Sequence, residues 1–267
     1  KDDPLNQDEI GEKELLVVSF GTSYNDSRRE TIGAIEKAMQ TAFPDYSVRR
    51  AFTSQIIIDH VKDRDGVTID NVEQALERAV NNGVKTLVVQ PTHLMNGLEY
   101  EELTDELAKY SDSFEKIAIG DPLLTSDADF EAVMTAITDA TKDAADGKTA
   151  ICFMGHGTTA DSNSVYSKMQ TLLTDKGFND YYVGTVEATP SLDDVLAAVQ
   201  KGNYEKVILR PLMIVAGDHA NNDSWKSTFE KAGYTVDCQV EGLGQLEAIQ
   251  QLFVEHAKAA VASAEAE

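Results

Sequence analysis

Short apolar runs alternate with amphipathic stretches along almost the whole chain. Residues 15–20, 47–52, 85–90 and 116–119 in the first half read as strands, and so do 149–154, 181–186, 205–213 and 234–240 in the second. The run from Ile151 to Met154 has no polar alternation, as expected of a strand buried on both faces. Helical spacing fills the intervals: 27–42, 56–61, 69–80, 99–110 and 127–145, then 163–175, 191–200, 221–232 and 245–262. Ile32, Ile35, Ala38 and Met39 keep that spacing in one of them, and Val72, Leu76 and Val80 form a stripe in another. Asn81-Asn-Gly83 is a helix stop, and Ser191 with Asp194 is a capping-box start. Strands alternating with helices predict parallel sheets joined by right-handed crossovers.

The halves resemble each other. Val17-Val-Ser-Phe-Gly-Thr22 can be laid on Cys152-Phe-Met-Gly-His-Gly-Thr158, and Leu87-Val-Val-Gln-Pro91 on Val207-Ile-Leu-Arg-Pro211. The second pairing sets Gly97 against Gly217. The expected fold is therefore α/β: two similar lobes from a duplication, each a parallel β-sheet flanked by helices, with a cleft between them lined by strand-end loops. Such interfaces favour ligand pockets. The expected division is a polar leader over 1–14, a first lobe over 15–145 and a second over 146–267, with the last helices free to cross over.

Composition removes several functions. A formal net charge of −23 argues against nucleic acid or anionic lipid as partner, since both call for a basic face. No apolar run reaches the length of a membrane span. There is no Walker A sequence, no dinucleotide fingerprint and no nucleophile elbow, so chemistry driven by ATP is not expected. Cys152 lies within a buried run and reads as a small hydrophobe. The polar opening, which does not begin with Met, fits a mature end left by an export signal, and a trimmed end fits too.

The candidate chemistry sits at strand ends, where open α/β sheets bind their ligands. His156 stands between Gly155 and Gly157, directly after a strand. Glu187 follows the run at 181–186, and His219 follows the run at 207–215. Two imidazoles and a carboxylate suit a divalent first-row ion. No local metal motif supports them, and each has a plain alternative: a satisfied histidine, a solvated loop acid, a helix-entry residue capped by Asp218 or Asn222. His93, after Pro91, occupies the equivalent strand end of the first lobe. His60 and His256 fall in helical patterns and read as surface residues.

Several motifs carry a family resemblance. They are Leu16-Val-Val-Ser-Phe-Gly-Thr-Ser-Tyr24 with Thr31-Ile-Gly-Ala-Ile-Glu36, Gln90-Pro-Thr-His-Leu-Met-Asn-Gly-Leu-Glu-Tyr100, Met154-Gly-His-Gly157, Val186-Glu-Ala-Thr-Pro190 and Pro211-Leu-Met-Ile-Val-Ala-Gly-Asp-His-Ala-Asn-Asn-Asp223. From Leu15 onward the chain resembles the anaerobic-type cobalt chelatases, CbiK. The resemblance implies a class II chelatase that inserts Co²⁺ into sirohydrochlorin or its precursor without ATP, on the way to cobalamin. It implies His156 and His219 as the paired histidines of a metal site, with Glu187 beside them. Some exported members bind haem and associate through a first-lobe histidine, a role that falls to His93 here and leaves a homo-oligomer open. The acidic leader departs from shorter cytoplasmic members and favours a periplasmic place over a cytoplasmic one. The alternatives to cobalt insertion are an exported paralogue that binds haem or metal without turnover, and insertion of Fe²⁺ or Ni²⁺. Helix N-termini and backbone N–H groups at the strand ends are candidates to receive substrate carboxylates, as are Arg28 and Arg29 if they face the cleft, though their plain reading is as exposed helix residues.

Overall fold

A computed structural model of the chain describes residues 2–216 and 219–266, and only the backbone of His219 and Ala220. Among the described residues eight strands form two four-stranded sheets, both wholly parallel. The first contains β1 (Lys13–Ser19), β2 (Ser47–Phe52), β3 (Thr86–Pro91) and β4 (Lys116–Ile119) in the order β2-β1-β3-β4. The second contains β5 (Thr149–Gly155), β6 (Tyr181–Thr185), β7 (Lys206–Pro211) and β8 (Thr235–Cys238) in the order β6-β5-β7-β8. The identical order is what a duplication leaves. The helices are α1 (Asn25–Arg28), α2 (Ala34–Ala42), α3 (Gln55–Asp65), α4 (Val72–Asn81), α5 (Leu98–Ala108) and α6 (Asp127–Thr141), then α7 (Ser164–Asp175), α8 (Leu192–Gln200), α9 (His219–Lys231) and α10 (Glu247–Glu265). A π-helical turn, Arg29–Gly33, joins α1 to α2, so the helix expected over 27–42 is one rod with a local bulge.

The apolar runs become central strands because both faces are covered. Leu16 and Val18 pack with Leu87 and Val89 under α4 and α5, while Leu15 and Val17 on the opposite face are equally buried. In the second unit Cys152, Met154 and Leu209 pack against Val195 and Val199 of α8 and Trp225 and Phe229 of α9. Cys152 is thus the buried hydrophobe expected of it, its thiol pushed up by desolvation.

The chain divides into two compact units, residues 1–125 with 249–267, and Ser126–Ala248. This differs from a division at 145/146, because each half gives its last helix to the other. In the second unit, α6 is held by a Thr141–Tyr181 hydroxyl hydrogen bond of 2.7 Å and by Lys168 on Asp127 at 2.7 Å. In the first, α10 is held by Tyr46 Oη donating to Glu265 at 2.8 Å and by a contact of 3.0 Å between His256 Nδ1 and the Asp121 carbonyl. Polarity along the sequence carries no sign of which sheet a terminal helix will cover.

The leader is part of the fold. Leu5 is buried and its carbonyl accepts the Arg50 N–H at 3.1 Å, so the segment lies along the edge of β2. Asp2 enters a pocket of two buried arginines: Arg50 bonds it at 2.8 and 2.9 Å, and Arg28 at 2.6 Å. Burial alone would raise the Asp2 carboxyl, but the guanidiniums outweigh it and hold it below the usual range.

At the other end of β1, Glu14 is 2% exposed and its Oε2 has no hydrogen-bond partner. Burial pushes its carboxyl up to about 8, with Asp70 adding to the rise and Arg49 and Arg78 opposing it. Between the ordinary value near 4.5 and about 8 the folded chain therefore holds a proton that the unfolded chain releases. Stability falls as pH rises through that window. Glu14→Gln is expected to remove the decline, giving a flatter profile of melting temperature against pH. An unchanged slope would contradict it.

Candidate metal centre

The site is built at the carboxyl ends of β5 and β6. Every residue of β5 is buried, so the chain must leave the sheet where its side chains can reach water. It leaves at Gly155, where a β-carbon would lie 2.2 Å from the Tyr166 ring. Gly157 has φ +87, and a β-carbon there would lie 2.9 Å from the β-carbons of Thr185 and Ala188. Both glycines are therefore needed for His156 to emerge between them. The chain leaving β6 runs beside it: Val186 N–H donates to the Gly155 carbonyl at 2.9 Å, and Glu187 N–H to the His156 carbonyl at 3.0 Å.

This ladder carries two donor side chains outward together. His156 Nε2 lies 3.2 Å from Glu187 Oε2, and both side chains are more than half exposed, at 62% and 63%. Two donors about 2.1 Å from one ion, at angles between square and tetrahedral, stand roughly 3.0–3.4 Å apart. The pair therefore has the spacing of neighbouring ligands of one cation, and its exposure leaves the remaining positions open.

His219, the third expected ligand, is the first residue of α9, directly after the loop that leaves β7, and its side chain lies outside the described residues. Among the described residues no group of three metal-capable side chains forms, so His156 and Glu187 stand as a half-site.

The same cradle recurs in the first unit with other side chains. Val18 pairs with Pro91 as Met154 pairs with Pro211. Thr53 N–H donates to Ser19 and Ser54 N–H to Phe20, as Val186 does to Gly155 and Glu187 to His156. Gly21 has φ +107, matching Gly157. Phe20 thus stands where His156 stands, and Ser54 where Glu187 stands. Only the second copy carries metal donors.

His93 is not the open loop histidine its sequence position suggests. Thr92 N–H donates to the Val18 carbonyl at 2.8 Å, and Leu123 N–H to the His93 carbonyl at 2.9 Å, so the segment stays against the sheet. The imidazole is 6% exposed and neither ring nitrogen has a hydrogen-bond partner. Burial pushes it down to about 4, so it is neutral near pH 7. Neutrality suits an iron ligand, but the ring is covered. Arg28 is also committed internally, to Asp2, Asn25 and the Thr22 carbonyl, while Arg29 pairs with Asp26. Arg28 is therefore taken up within the fold, whereas Arg29 stays in an exposed surface pair.

An exposed imidazole and carboxylate at this spacing, with no cage around them, stand at strand ends of a duplicated parallel α/β fold. The chain belongs to the cobalt chelatase (CbiK) family, whose model matches residues 13–262. It is 36% identical over 251 residues to the sirohydrochlorin cobaltochelatase of Salmonella typhimurium, covering 91% of this chain and 94% of that one. It is 29% identical to the sirohydrochlorin cobaltochelatase CbiKC of Nitratidesulfovibrio vulgaris, covering 94% and 91%. Among solved structures, SirB from Bacillus subtilis with Fe³⁺ superposes with a TM-score of 0.68 at 16% identity, covering 95% of this chain and 97% of that one. At that identity the likeness establishes the fold.

Proposed function

We propose that the protein inserts Co²⁺ into a sirohydrochlorin-type tetrapyrrole without ATP. The observation that carries this reading is the exposed His156–Glu187 pair at cation-ligand spacing, in a chain of the cobalt chelatase family. The cation is substrate. It exchanges waters for the His156 Nε2 lone pair and the Glu187 carboxylate, and the carboxylate supplies the charge that retains it. The macrocycle must give up two pyrrole protons as it gains the ion. Imidazole and carboxylate can each accept one once the metal leaves them. A half-site permits that departure, whereas a closed four-coordinate cage would trap the ion. His219, whose backbone begins α9 beside the end of β7, joins the pair as third ligand in this reading.

The reading as a whole is tested by mixing pure protein, Co²⁺ and sirohydrochlorin and following the absorbance change. No acceleration over the spontaneous rate would reject it. Competition with Fe²⁺ and Ni²⁺ sets the metal preference, which donor type alone does not decide.

A further inference from the structure

The donor side chains of His156 and Glu187 stand mostly in solvent, so side-chain packing does not fix their separation; the backbone beneath them does. Asn163 immediately precedes α7, the position from which an asparagine commonly caps a helix. Its side chain makes no cap hydrogen bond. Instead its Oδ1 accepts the Thr158 N–H at 3.0 Å, and its Nδ2 donates to the Thr189 carbonyl at 2.7 Å. Thr158 lies two residues beyond His156, and Thr189 two residues beyond Glu187. One amide therefore ties together the two loops that carry the metal donors, just past both of them. On the near side the loops are joined by the Glu187 N–H to His156 carbonyl bond, and between the two ties Gly157 lies hard against Ala188.

We infer that Asn163 is a positioning residue for the metal pair: its amide clasps the His156 and Glu187 loops at the separation that lets both side chains reach one divalent cation. The inference rests on the proposed reading of that pair as the cation's half-site. Both arms of the clasp are required. Asparagine alone among residues of its size supplies an acceptor for one loop and a donor for the other. Without it, the loops keep only their backbone ties on the near side, Val186 N–H to Gly155 and Glu187 N–H to His156, and the donors spread over a wider range of distances. The cost falls on metal capture, because each donor then has to be brought to the ion separately.

The test is Co²⁺ binding to the whole protein without tetrapyrrole, by calorimetric titration, for wild type, Asn163→Ala, Asn163→Asp and His156→Ala. The expected result is Co²⁺ affinity about 10-fold weaker in Asn163→Ala, the low end of what residues supporting metal ligands contribute. Asn163→Asp should be equally weak, since it keeps the shape and the Thr158 acceptor but presents an oxygen to the Thr189 carbonyl. Initial rates should show KM for Co²⁺ raised by the same factor and KM for sirohydrochlorin unchanged. A general loss of structure would move both and lower the melting temperature. Affinity that depends on His156 but not on Asn163 would overturn the clasp alone. Affinity indifferent to His156 would overturn the half-site and the clasp with it.

Discussion

His156→Ala is expected to lower kcat/KM for cobalt insertion roughly 10²–10⁴-fold, the range that a positioned proton acceptor contributes. It should leave the melting temperature near that of wild type. The two halves of that expectation have separate physical origins. The imidazole is mostly exposed and its partner among the described residues is the Glu187 carboxylate, so little folding energy is at stake. The cradle beneath it is made of backbone hydrogen bonds and two glycine contacts that alanine at position 156 leaves intact. Chemistry loses twice: the cation loses a nitrogen ligand, and one pyrrole proton loses its acceptor. Glu187→Gln is a milder change, because an amide oxygen still reaches the ion while the charge and the basic site disappear. Its loss should show first as a higher KM for Co²⁺. Initial rates with each substrate varied in turn measure both effects. A His156→Ala enzyme with unaltered kcat/KM would remove the imidazole from the reaction.

The centre was legible in the sequence as far as strand ends are legible. The uninterrupted apolar run at 151–154 announces a strand buried on both faces, the run at 181–186 reads as a second strand, and the residues that follow each must emerge at the carboxyl edge. That reasoning puts His156 and Glu187 past the ends of two strands, where the structure has them. It fails for His93, which follows Pro91 by the same logic. Whether a segment leaves the sheet or stays against it depends on a partner far along the chain, here the backbone at 123–124. The duplication was visible too, and the structure shows what it means. Matched hydrogen bonds put Phe20 in the place of His156, so the repeat preserves a backbone cradle rather than a chemistry. The two features most hidden in the sequence are long-range ties of single polar side chains. Asn163 looks like a helix cap, and Asp2 looks like part of a solvated leader. Composition and periodicity register neither, because each partner is chosen by the finished fold. The exchange of α6 and α10 between units is hidden for the same reason.

Arg50→Met is expected to destabilise the first unit by about 3–5 kcal/mol, the usual cost of leaving a buried charge without its partner. Arg50 is 1% exposed in β2 and makes four charged hydrogen bonds, two to Glu36 at 2.8 and 2.7 Å and two to Asp2. Burial disfavours the guanidinium charge, but the two carboxylates outweigh that cost and push it further up. Asp2 keeps Arg28 when Arg50 is lost, whereas Glu36, 2% exposed, has no other guanidinium partner among the described residues and bears most of the penalty. Arg50→Met combined with Glu36→Met should therefore recover much of the stability, since an apolar pair of similar volume leaves no buried charge unmet. The chain's one tryptophan, Trp225, is buried in the second unit, so two probes separate the effects. In urea, far-ultraviolet circular dichroism follows both units and tryptophan fluorescence follows the second. For Arg50→Met the dichroism should begin to fall at a lower urea concentration, ahead of the fluorescence, and the double variant should bring the two transitions back toward each other. Coincident, unshifted transitions in the single variant would mean that Glu36 finds water once Arg50 is gone, and that the pocket is less closed than its burial indicates.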